Sequence, residues 1–330
     1  MTSPNPSRRT CVVTGAAGFI GFHLCSRLFE EGCDVVGVDN FDPFYDRAVK
    51  QKNLADLAAL ATARGVRFRC EERDILDMTP GSVVSGPVDV VFHWAARAGV
   101  RPSLKDPAGY ARVNVQGTVQ VLEWARAVGA RVVFASSSSV YGDNSPAPFR
   151  EDAPADKPVS PYAASKRACE HFCAAHAHVH GMRVAALRLF TVYGPRQRPD
   201  LAIHSFARNM LAGRPIQLFG DGSTARDYTF VLDIVAGIMA ADDWLVQQPA
   251  GTMDVFNLGG SRTTTLLEMV EALEKALGIT AQRTWAPPQP GDVRLTSADV
   301  SKAARMLGWE PRVPLAEGMA RFAQWVKTAH

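Results

Sequence analysis

The chain has 330 residues, of which 47% are hydrophobic and 21% charged, a balance typical of a globular protein with a large core. Its formal net charge of +3 is too small to indicate nucleic acid or an acidic membrane surface as a partner. Residues 1–10 are polar and no long apolar run follows them, so we expect neither a signal peptide nor a membrane span.

The first regular elements are a strand, a glycine turn and a helix. The apolar run Thr10–Thr14 is followed by GAAGFIG at 15–21 and by a helical stretch from His23 to Glu31. In order, the three glycines permit a tight turn, the approach of backbone N–H groups to a pyrophosphate, and close packing of helix on strand. This context indicates a dinucleotide-binding fingerprint. The predicted cofactor-binding residues of this segment are Gly15, Gly18, Phe19, Ile20 and Gly21.

A second predicted strand, at 34–38, ends at Asp39. An acidic side chain about 20 residues beyond the glycine turn accepts hydrogen bonds from the adenosine ribose and repels a 2′-phosphate, so it favours NAD over NADP. Strands at 66–70 and 88–92 follow. Asp74 and Ile75, past the first of these, are placed to contact an adenine. Ala95 and Ala96, past the second, are small enough for close approach of the cofactor.

Four consecutive serines, at 136–139, follow the next predicted strand. A long helical pattern at 106–128 precedes that strand, which covers 131–135. Ligands of open α/β sheets bind at the carboxyl ends of the strands, so this position favours a functional hydroxyl over ordinary turn chemistry.

Tyr162 and Lys166 stand four residues apart at the start of a predicted helix that ends at Gly181. At this spacing both side chains lie on one helix face. A lysine ammonium close to a phenol favours the phenolate, and so lowers a tyrosine pKa from about 10 toward values at which it acts as a base. The spacing alone is common by chance. Together with the glycine turn and the serine cluster it indicates a catalytic pair.

A sixth predicted strand, at 184–190, completes a strand–helix alternation. This pattern predicts an α/β fold with a doubly wound parallel sheet of the Rossmann type. Beyond Thr191 the alternation changes, with helices expected at 201–212, 263–277 and up to about 328, and a short strand at 216–219. We expect a NAD-binding domain at 8–190 with return segments near 228–258. A smaller, discontinuous C-terminal α/β substrate domain is expected at 191–227 and 259–330.

The six cysteines include no Cys-x-x-Cys pair, which predicts reduced, mostly buried thiols and a cytoplasmic location. Cys169, Cys173, His176 and His180 share one predicted helix face and are all of metal-ligand type. One straight helix cannot surround a single zinc ion with four ligands, and a second element would have to contribute. We therefore predict no metal site and interpret this face as packed or solvated.

In their order, the motifs TGAAGFIG, VDNF, HWAA, SSSSVYG, YxxxK, TVYGP and ARDYTFV resemble the extended short-chain dehydrogenase/reductase family over nearly the whole chain. The resemblance is to its NAD-dependent nucleotide-sugar epimerases, most closely the UDP-glucuronate 4-epimerases. It implies that Tyr162 is the catalytic base, that Lys166 holds the nicotinamide ribose and tunes Tyr162, and that Ser137 lies next to the sugar O4. It also implies NAD contacts by Asn40 and Asn114, a UDP-sugar substrate, and a homodimer formed through the helices at 106–128 and 161–180.

Within that branch, the residues indicate which reaction is expected. Dehydratases of the family carry Thr-Asp-Glu where this chain has serines 137–139, so dehydration is not expected. The loop TVYGPRQRPD resembles the UDP-glucuronate 4-epimerases, and HWAA departs from the commoner HLAA. Arg198, with the hydroxyls of Thr191, Ser138 and Ser139, is a credible cradle for a C5 carboxylate. The resemblance further implies substrate contacts by Arg101, Arg226, Gln289 and Asp292.

The reaction implied is oxidation at C4 of the sugar, rotation of the 4-keto intermediate within the site, and return of the hydride to its other face. Three alternatives remain open. A UDP-glucuronate decarboxylase shares the oxidation and then releases CO₂. A UDP-glucose/UDP-galactose 4-epimerase would need no carboxylate cradle. A non-catalytic NAD-binding sensor would need the glycine turn but not Ser137, Tyr162 and Lys166.

Overall fold

Strands and helices alternate through most of the chain in the computed structural model, which describes residues 8–84, 86–143, 145–288 and 294–328. The strands are β1 (Thr10–Thr14), β2 (Asp34–Asp39), β3 (Phe68–Glu72), β4 (Val90–His93), β5 (Arg131–Ser137), β6 (Val184–Leu189), β7 (Thr191–Tyr193), β8 (Ile216–Phe219), β9 (Ala225–Phe230), β10 (Met253–Leu258), β11 (Thr263–Thr265) and β12 (Arg283–Ala286). The helices are α1 (Phe19–Glu30), α2 (Arg47–Arg64), α3 (Val100–Lys105), α4 (Pro107–Tyr110), α5 (Gly117–Ala127), α6 (Pro161–His180), α7 (Ala202–Leu211), α8 (Val231–Val246), α9 (Leu266–Leu277), α10 (Ser301–Leu307) and α11 (Leu315–Thr328).

A parallel seven-stranded sheet has the order β10-β6-β5-β4-β1-β2-β3. Its central strands are short apolar runs buried on both faces, as is usual where helices cover both sides of a parallel sheet. The order reverses between β1 and β4, which makes the carboxyl ends of these strands the switch point where ligands bind in such sheets. The predicted Rossmann-type sheet is therefore confirmed.

Helices cover the sheet with two separate apolar cores. On one face, Leu24 and Leu28 of α1 pack with Ile234 and Ile238 of α8. The other face is covered by α5 and α6. After residue 228 the chain returns to the sheet through a helix and an edge strand, α8 and β10. In the described parts of the chain, every helix is too short or too polar to cross a bilayer.

The later segments build two small sheets beside the large one. One has the order β11-β9-β7 and the other pairs β12 with β8. A third core, with Tyr193, Phe230, Met269 and Phe322 at its centre, joins them to α7, α9 and α11. The helix predicted at 263–277 begins only at Leu266, because the β-branched run Thr263–Thr265 pairs with β9.

The long helix predicted at 106–128 is interrupted. Pro107–Tyr110 and Gly117–Ala127 are α-helical, but Ala111–Gln116 between them is a π-helical segment. Such wide turns often re-aim a side chain at a functional site. Here the segment places the Asn114 amide against the backbone of Arg97, so hydrogen bonding and not helical periodicity decides the local geometry.

A buried ion pair fixes α6 to the sheet beneath the serine cluster. Arg188 of β6 donates through Nε and Nη2 to the two carboxylate oxygens of Glu170, both at 2.9 Å, and Ser136 donates to the same carboxylate at 2.6 Å. The side chains of Arg188 and Glu170 are 2% and 1% exposed. Burial acts to raise the pKa of Glu170, but the hydrogen bond and charge of Arg188 hold it below its ordinary value.

We expect Glu170→Ala to lower the free energy of unfolding by about 3–5 kcal/mol, because it leaves the Arg188 guanidinium buried without its counter-charge. Urea denaturation followed by circular dichroism measures the change. The matched control is Glu123→Ala, which removes a more exposed partner of Arg126 and should cost under about 1 kcal/mol. Equal losses in the two variants would contradict a stabilising role for the buried pair.

Candidate active site

A cavity of about 490 Å³ opens at the carboxyl edge of the central sheet, a size common for small-molecule sites. Most of the predicted site residues line it. They are Gly15, Gly18, Phe19, Ile20, Gly21, Asp39, Asn40, Asp74, Ile75, Ala95, Ala96, Ser137, Ser138, Ser139, Tyr162, Lys166, Thr191 and Arg198. The predicted cofactor, catalytic and carboxylate-binding groups thus share one cavity.

The glycine turn needs its glycines for two different reasons. Gly15 has φ +72°, and a Cβ there would lie 2.9 Å from the backbone nitrogen of Ala95 on the neighbouring strand end. A Cβ on Gly21 would lie 2.1 Å from the carbonyl oxygen of Gly15. The turn therefore brings the start of α1 against the tips of β1 and β4, where its backbone N–H groups can receive a pyrophosphate.

Asp39 ties the glycine turn to the helix that follows β2. Its carboxylate accepts from the Ala17 backbone N–H at 3.2 Å and from the Phe41 N–H at 2.9 Å. Lys50 of α2 donates to it at 3.2 Å, and both side chains are buried. The carboxylate is thus held in place at the end of β2, where an adenosine ribose would lie.

The predicted adenine contacts sit on the next strand end. Asn40 donates to the Asp74 carboxylate at 2.9 Å, and Asp74 caps the short turn that begins at Ile75. Ile75 packs so closely against Gly117 that a Cβ on that glycine would lie 2.5 Å from it. These contacts form a shallow wall of apolar and polar groups suited to a planar base.

Tyr162 enters the cavity from the first turn of α6. Ser160 caps this helix and Pro161 occupies its first position, which fixes where the helix starts. The Tyr162 phenol is half-buried in the cavity wall, and its interaction with the Ser137 hydroxyl at the end of β5 acts to lower its pKa. Tyr110 packs edge-to-face on its ring, with centroids 6.2 Å apart. The structure therefore brings the predicted base and the predicted serine hydroxyl into the same cavity.

Lys166 does not lower the Tyr162 pKa as the sequence predicted. Burial raises the pKa of Tyr162, and the Ser137 hydrogen bond and the charge of Arg198 only partly offset that rise. Lys166 instead donates to the carbonyl oxygen of Ala135 at 2.7 Å and lies 4.9 Å from the centre of the Phe134 ring. Burial lowers the pKa of this ammonium.

Thr191, the first residue of β7, and Arg198, in the loop that follows β7, both line the cavity. Arg198 donates through Nε and Nη2 to the carboxylate of Asp200, at 2.9 and 2.7 Å, and its guanidinium carbon lies 5.0 Å from the centre of the Phe44 ring. Ser138 and Ser139 line the same cavity. A fixed positive charge and three hydroxyls therefore share one cavity, with the charge oriented in advance by Asp200.

Three of the predicted residues that the structure describes are not among those that line the cavity. The amide of Asn114 is buried and binds the Arg97 backbone and the Ser165 hydroxyl at 2.8–3.0 Å, so it braces α6, and its NAD contact stays a prediction. Arg101 lies over the Phe219 ring, and Arg226 donates to the Ala225 carbonyl. Gln289 and Asp292 lie outside the described residues.

Sequence reasoning missed several polar residues that line the cavity. They are Tyr45, Lys50, Arg73 and Arg97. Lys50 could have been found from the sequence. It falls on the same face of α2 as the apolar Leu54, so it is buried and requires a counter-charge. Arg97 comes directly after the HWAA segment at the end of the predicted strand. Its pairing with Asp106 could not be predicted from that position.

The helix face considered for metal binding divides into two parts. Cys169 and Cys173 are buried in the core beneath the sheet. His176 and His180 instead approach Glu123 of α5, with the three candidate ligand atoms within 4.8 Å of one another. Arg126 hydrogen-bonds Glu123 and holds the pKa of that carboxylate below its ordinary value, and His176 lies 3.0 Å from its other oxygen. The Glu123 carboxylate is thus already bound by Arg126 and His176.

The fold and cavity define an enzyme that binds a dinucleotide at the switch point of a parallel sheet. The model of the NAD dependent epimerase/dehydratase family matches residues 11–259, and the chain belongs to this family. The predicted resemblance and the NAD cofactor are thereby confirmed.

The relatives are similar over nearly their full length. A UDP-glucuronate 4-epimerase of Thermodesulfobacterium geofontis is 38% identical over 320 residues, which is 96% of this chain and 95% of the relative. The crystal structure of UDP-glucuronic acid 4-epimerase from Bacillus cereus with UDP-glucuronic acid and NAD superposes with a TM-score of 0.89 at 35% identity, covering 97% of this chain and 100% of that one. UDP-glucose 4-epimerase of Thermotoga maritima with UDP-glucose gives 0.82 at 31% identity, covering 97% and 99%.

We expect Asp39→Asn to weaken NAD binding about 10- to 100-fold, because a hydrogen bond to a charged acceptor contributes about 1.5–3 kcal/mol. The relative affinity for NADP should improve, since Lys50 loses its counter-charge and becomes available to a 2′-phosphate. Fluorescence titration with both cofactors measures this. The matched control is Asp77→Asn, an exposed carboxylate of the nearby turn at 75–77 that does not line the cavity. Unchanged NAD affinity would place the ribose elsewhere.

Proposed function

We propose that this protein catalyses the NAD-dependent 4-epimerisation of UDP-glucuronate to UDP-galacturonate. The observation that carries the proposal is the presence of Arg198, Thr191, Ser138 and Ser139 in the same cavity as Tyr162 and Ser137. A neutral hexose offers nothing for a fixed positive charge to bind, whereas a C5 carboxylate does. The Bacillus cereus and Thermodesulfobacterium relatives bear UDP-glucuronate epimerase names and support this choice.

In the proposed reaction, Tyr162 removes the proton from the sugar O4-hydroxyl, and Ser137 holds that oxygen by a hydrogen bond. NAD, when bound, accepts the hydride from C4 and later returns it. Its pyrophosphate would lie on the glycine turn at 15–21, its adenosine ribose on Asp39 and its adenine near Ile75. Lys166, one turn beyond Tyr162 on α6, is placed to hold the nicotinamide ribose.

The same residues complete the reaction in reverse. After the 4-keto sugar has turned over in the cavity, Tyr162 returns the proton to O4 as the hydride reaches the opposite face of C4. One C–H and one O–H bond are broken and re-formed, so no net oxidation occurs.

A uronate substrate imposes a further requirement. Its 4-keto intermediate is a β-keto acid, which loses CO₂ when the carboxylate C–C bond lines up with the carbonyl π system. Arg198 and the surrounding hydroxyls would hold the carboxylate out of that alignment while the ring turns. This constraint separates a 4-epimerase from a decarboxylase that uses the same oxidation.

We also propose the domain assignment predicted from the sequence. Residues 8–190, with the return segments near 228–258, bind NAD. Residues 191–227 and 259–330 bind the substrate. The separate core around Met269 and Phe322 supports it. A homodimer through α5 and α6 is proposed as well, supported by the exposed apolar side chains Phe172 and Val179, seven residues apart on α6. A cytoplasmic location is supported by six unpaired cysteine thiols.

We expect Tyr162→Phe to lower turnover at least about 10²- to 10⁴-fold, the usual contribution of a general acid–base group. NAD content should stay near that of the wild type, because the ring still packs on Tyr110. Initial rates with UDP-glucuronate and the NAD content of the purified variant test this. Activity within a few-fold of wild type would mean that another group is the base.

We expect Arg198→Ala to reduce kcat/KM for UDP-glucuronate about 10- to 100-fold, the equivalent of a lost charged hydrogen bond of about 1.5–3 kcal/mol. Thr191→Ala should cost less, since a neutral hydroxyl contributes about 0.5–1.5 kcal/mol. Both variants should release more UDP-pentose, because the carboxylate is less restrained. Product analysis by chromatography measures the two products together.

UDP-glucose is the control substrate in that experiment. Any activity on it should be nearly unaffected by Arg198→Ala, because a neutral sugar makes no pair with the guanidinium. Equal epimerisation of UDP-glucuronate by wild type and both variants, or a wild-type preference for UDP-glucose, would remove the uronate assignment.

A further inference from the structure

The loop that carries Arg198 is pinned to the NAD-binding side of the molecule two residues earlier, at Arg196. Gly194 has φ +145° and Arg196 has φ +65°. A left-handed backbone at a residue other than glycine is retained only where the surroundings over-determine it. The contacts of Arg196 therefore decide the course of the chain between Tyr193 and Arg198.

Those contacts come from both helices that flank the glycine turn. Arg196 donates through Nη1 to the Asn53 side-chain oxygen and through Nη2 to the Asp56 carboxylate, each at 2.7 Å. Its guanidinium carbon lies 3.7 Å from the centre of the Phe22 ring of α1. The neighbouring residue is held too, since His23 donates through Nε2 to the Pro195 carbonyl oxygen at 2.9 Å.

Asn53 links this anchor to the cofactor-binding turn. While its oxygen accepts from Arg196, its amide nitrogen donates to the carbonyl oxygen of Ala17 at 2.9 Å. The backbone N–H of the same Ala17 donates to Asp39. A continuous chain of hydrogen bonds thus runs from the ribose-binding carboxylate, through the glycine turn, to the loop that presents Arg198.

We propose that Arg196 is a positioning residue that sets the reach of Arg198 toward the substrate carboxylate. This inference rests on the proposed uronate function. Arg196 does not line the cavity and acts through Arg198, which follows it after a single residue. Without the anchor, Arg196 relaxes from its left-handed conformation, and the guanidinium of Arg198 moves relative to Tyr162. Restraint of the uronate carboxylate then weakens.

Arg196→Ala tests the proposal, with Asp56→Asn as a milder variant that removes one charged arm and leaves the fold intact. Arg27→Ala is the matched control, because Arg27 is an exposed α1 arginine paired with Glu30 and Glu31. We expect Arg196→Ala to lower kcat/KM for UDP-glucuronate at least about tenfold, since a misplacement of about 1 Å costs up to about 100-fold. The UDP-pentose fraction should rise. Asp56→Asn should change kcat/KM and the UDP-pentose fraction less, and Arg27→Ala should change neither.

A double variant distinguishes positioning from general stability. If Arg196 acts through Arg198, then Arg196→Ala in an Arg198→Ala background should cause no further loss of kcat/KM and no further rise in UDP-pentose. Additive losses would overturn the proposal. A fall in NAD content or melting temperature with an unchanged product ratio would also overturn it, because a structural residue alone gives that result.

The outcome for the wild type separates the two hypotheses. Wild-type protein that fails to convert UDP-glucuronate would overturn the proposed function and this inference with it. Wild-type conversion, with Arg196→Ala and Asp56→Asn matching it in rate and product ratio, would overturn this inference alone.

Discussion

Burial of charge is the constraint on which the site depends. An ion taken out of water costs several kcal/mol unless an opposite charge accompanies it, and two carboxylates near the cavity obey this rule. Asp39 is held by Lys50 and Glu170 by Arg188. Both pairs join a strand to a helix, so neutralising the charge also locks neighbouring elements together. The walls of the cavity are thus made rigid by ion pairs that form because their charges are buried.

Lys166 departs from this pattern. It is 4% exposed, yet it donates a hydrogen bond to the neutral carbonyl of Ala135, and burial lowers its pKa. Loss of solvent raises the pKa of the Tyr162 phenol on the same helix. Adjacent titratable groups whose pKa values are perturbed by burial are typical of functional sites.

The sequence allowed prediction of groups whose position follows from strand ends. Gly15 follows β1 directly, Asp39 and Ser137 end β2 and β5, and Thr191 begins the short strand after β6. Parallel strands bring their carboxyl ends to one edge. Contacts that depend on a tertiary partner were harder to predict. Asn114 lies in a π-helical turn and binds the Arg97 backbone, which helical periodicity does not specify.

Arg101 and Arg226 show the same limit, because their contacts, with the Phe219 ring and with the Ala225 carbonyl, do not follow from helix or strand periodicity. The pairing of Lys50 with Asp39 likewise required the packing of α2 on the sheet, which periodicity does not specify. The order of the strand ends could therefore be predicted from the local sequence. The hydrogen-bond or ion-pair partner of each long polar side chain could not.

In the proposed function, the pairing of Arg198 with Asp200 would orient the guanidinium that meets a uronate carboxylate. Asp200 accepts from Nε and Nη2, so an incoming carboxylate meets a guanidinium whose charge is already partly balanced. The attraction is weaker than toward an isolated cation, but the guanidinium is pre-oriented and loses little rotamer freedom on binding. Such an arrangement fixes the orientation of the carboxylate more than it strengthens binding. The sugar ring must turn over between two hydride transfers. It therefore requires a carboxylate held at a defined angle, but not so tightly that the ring cannot move.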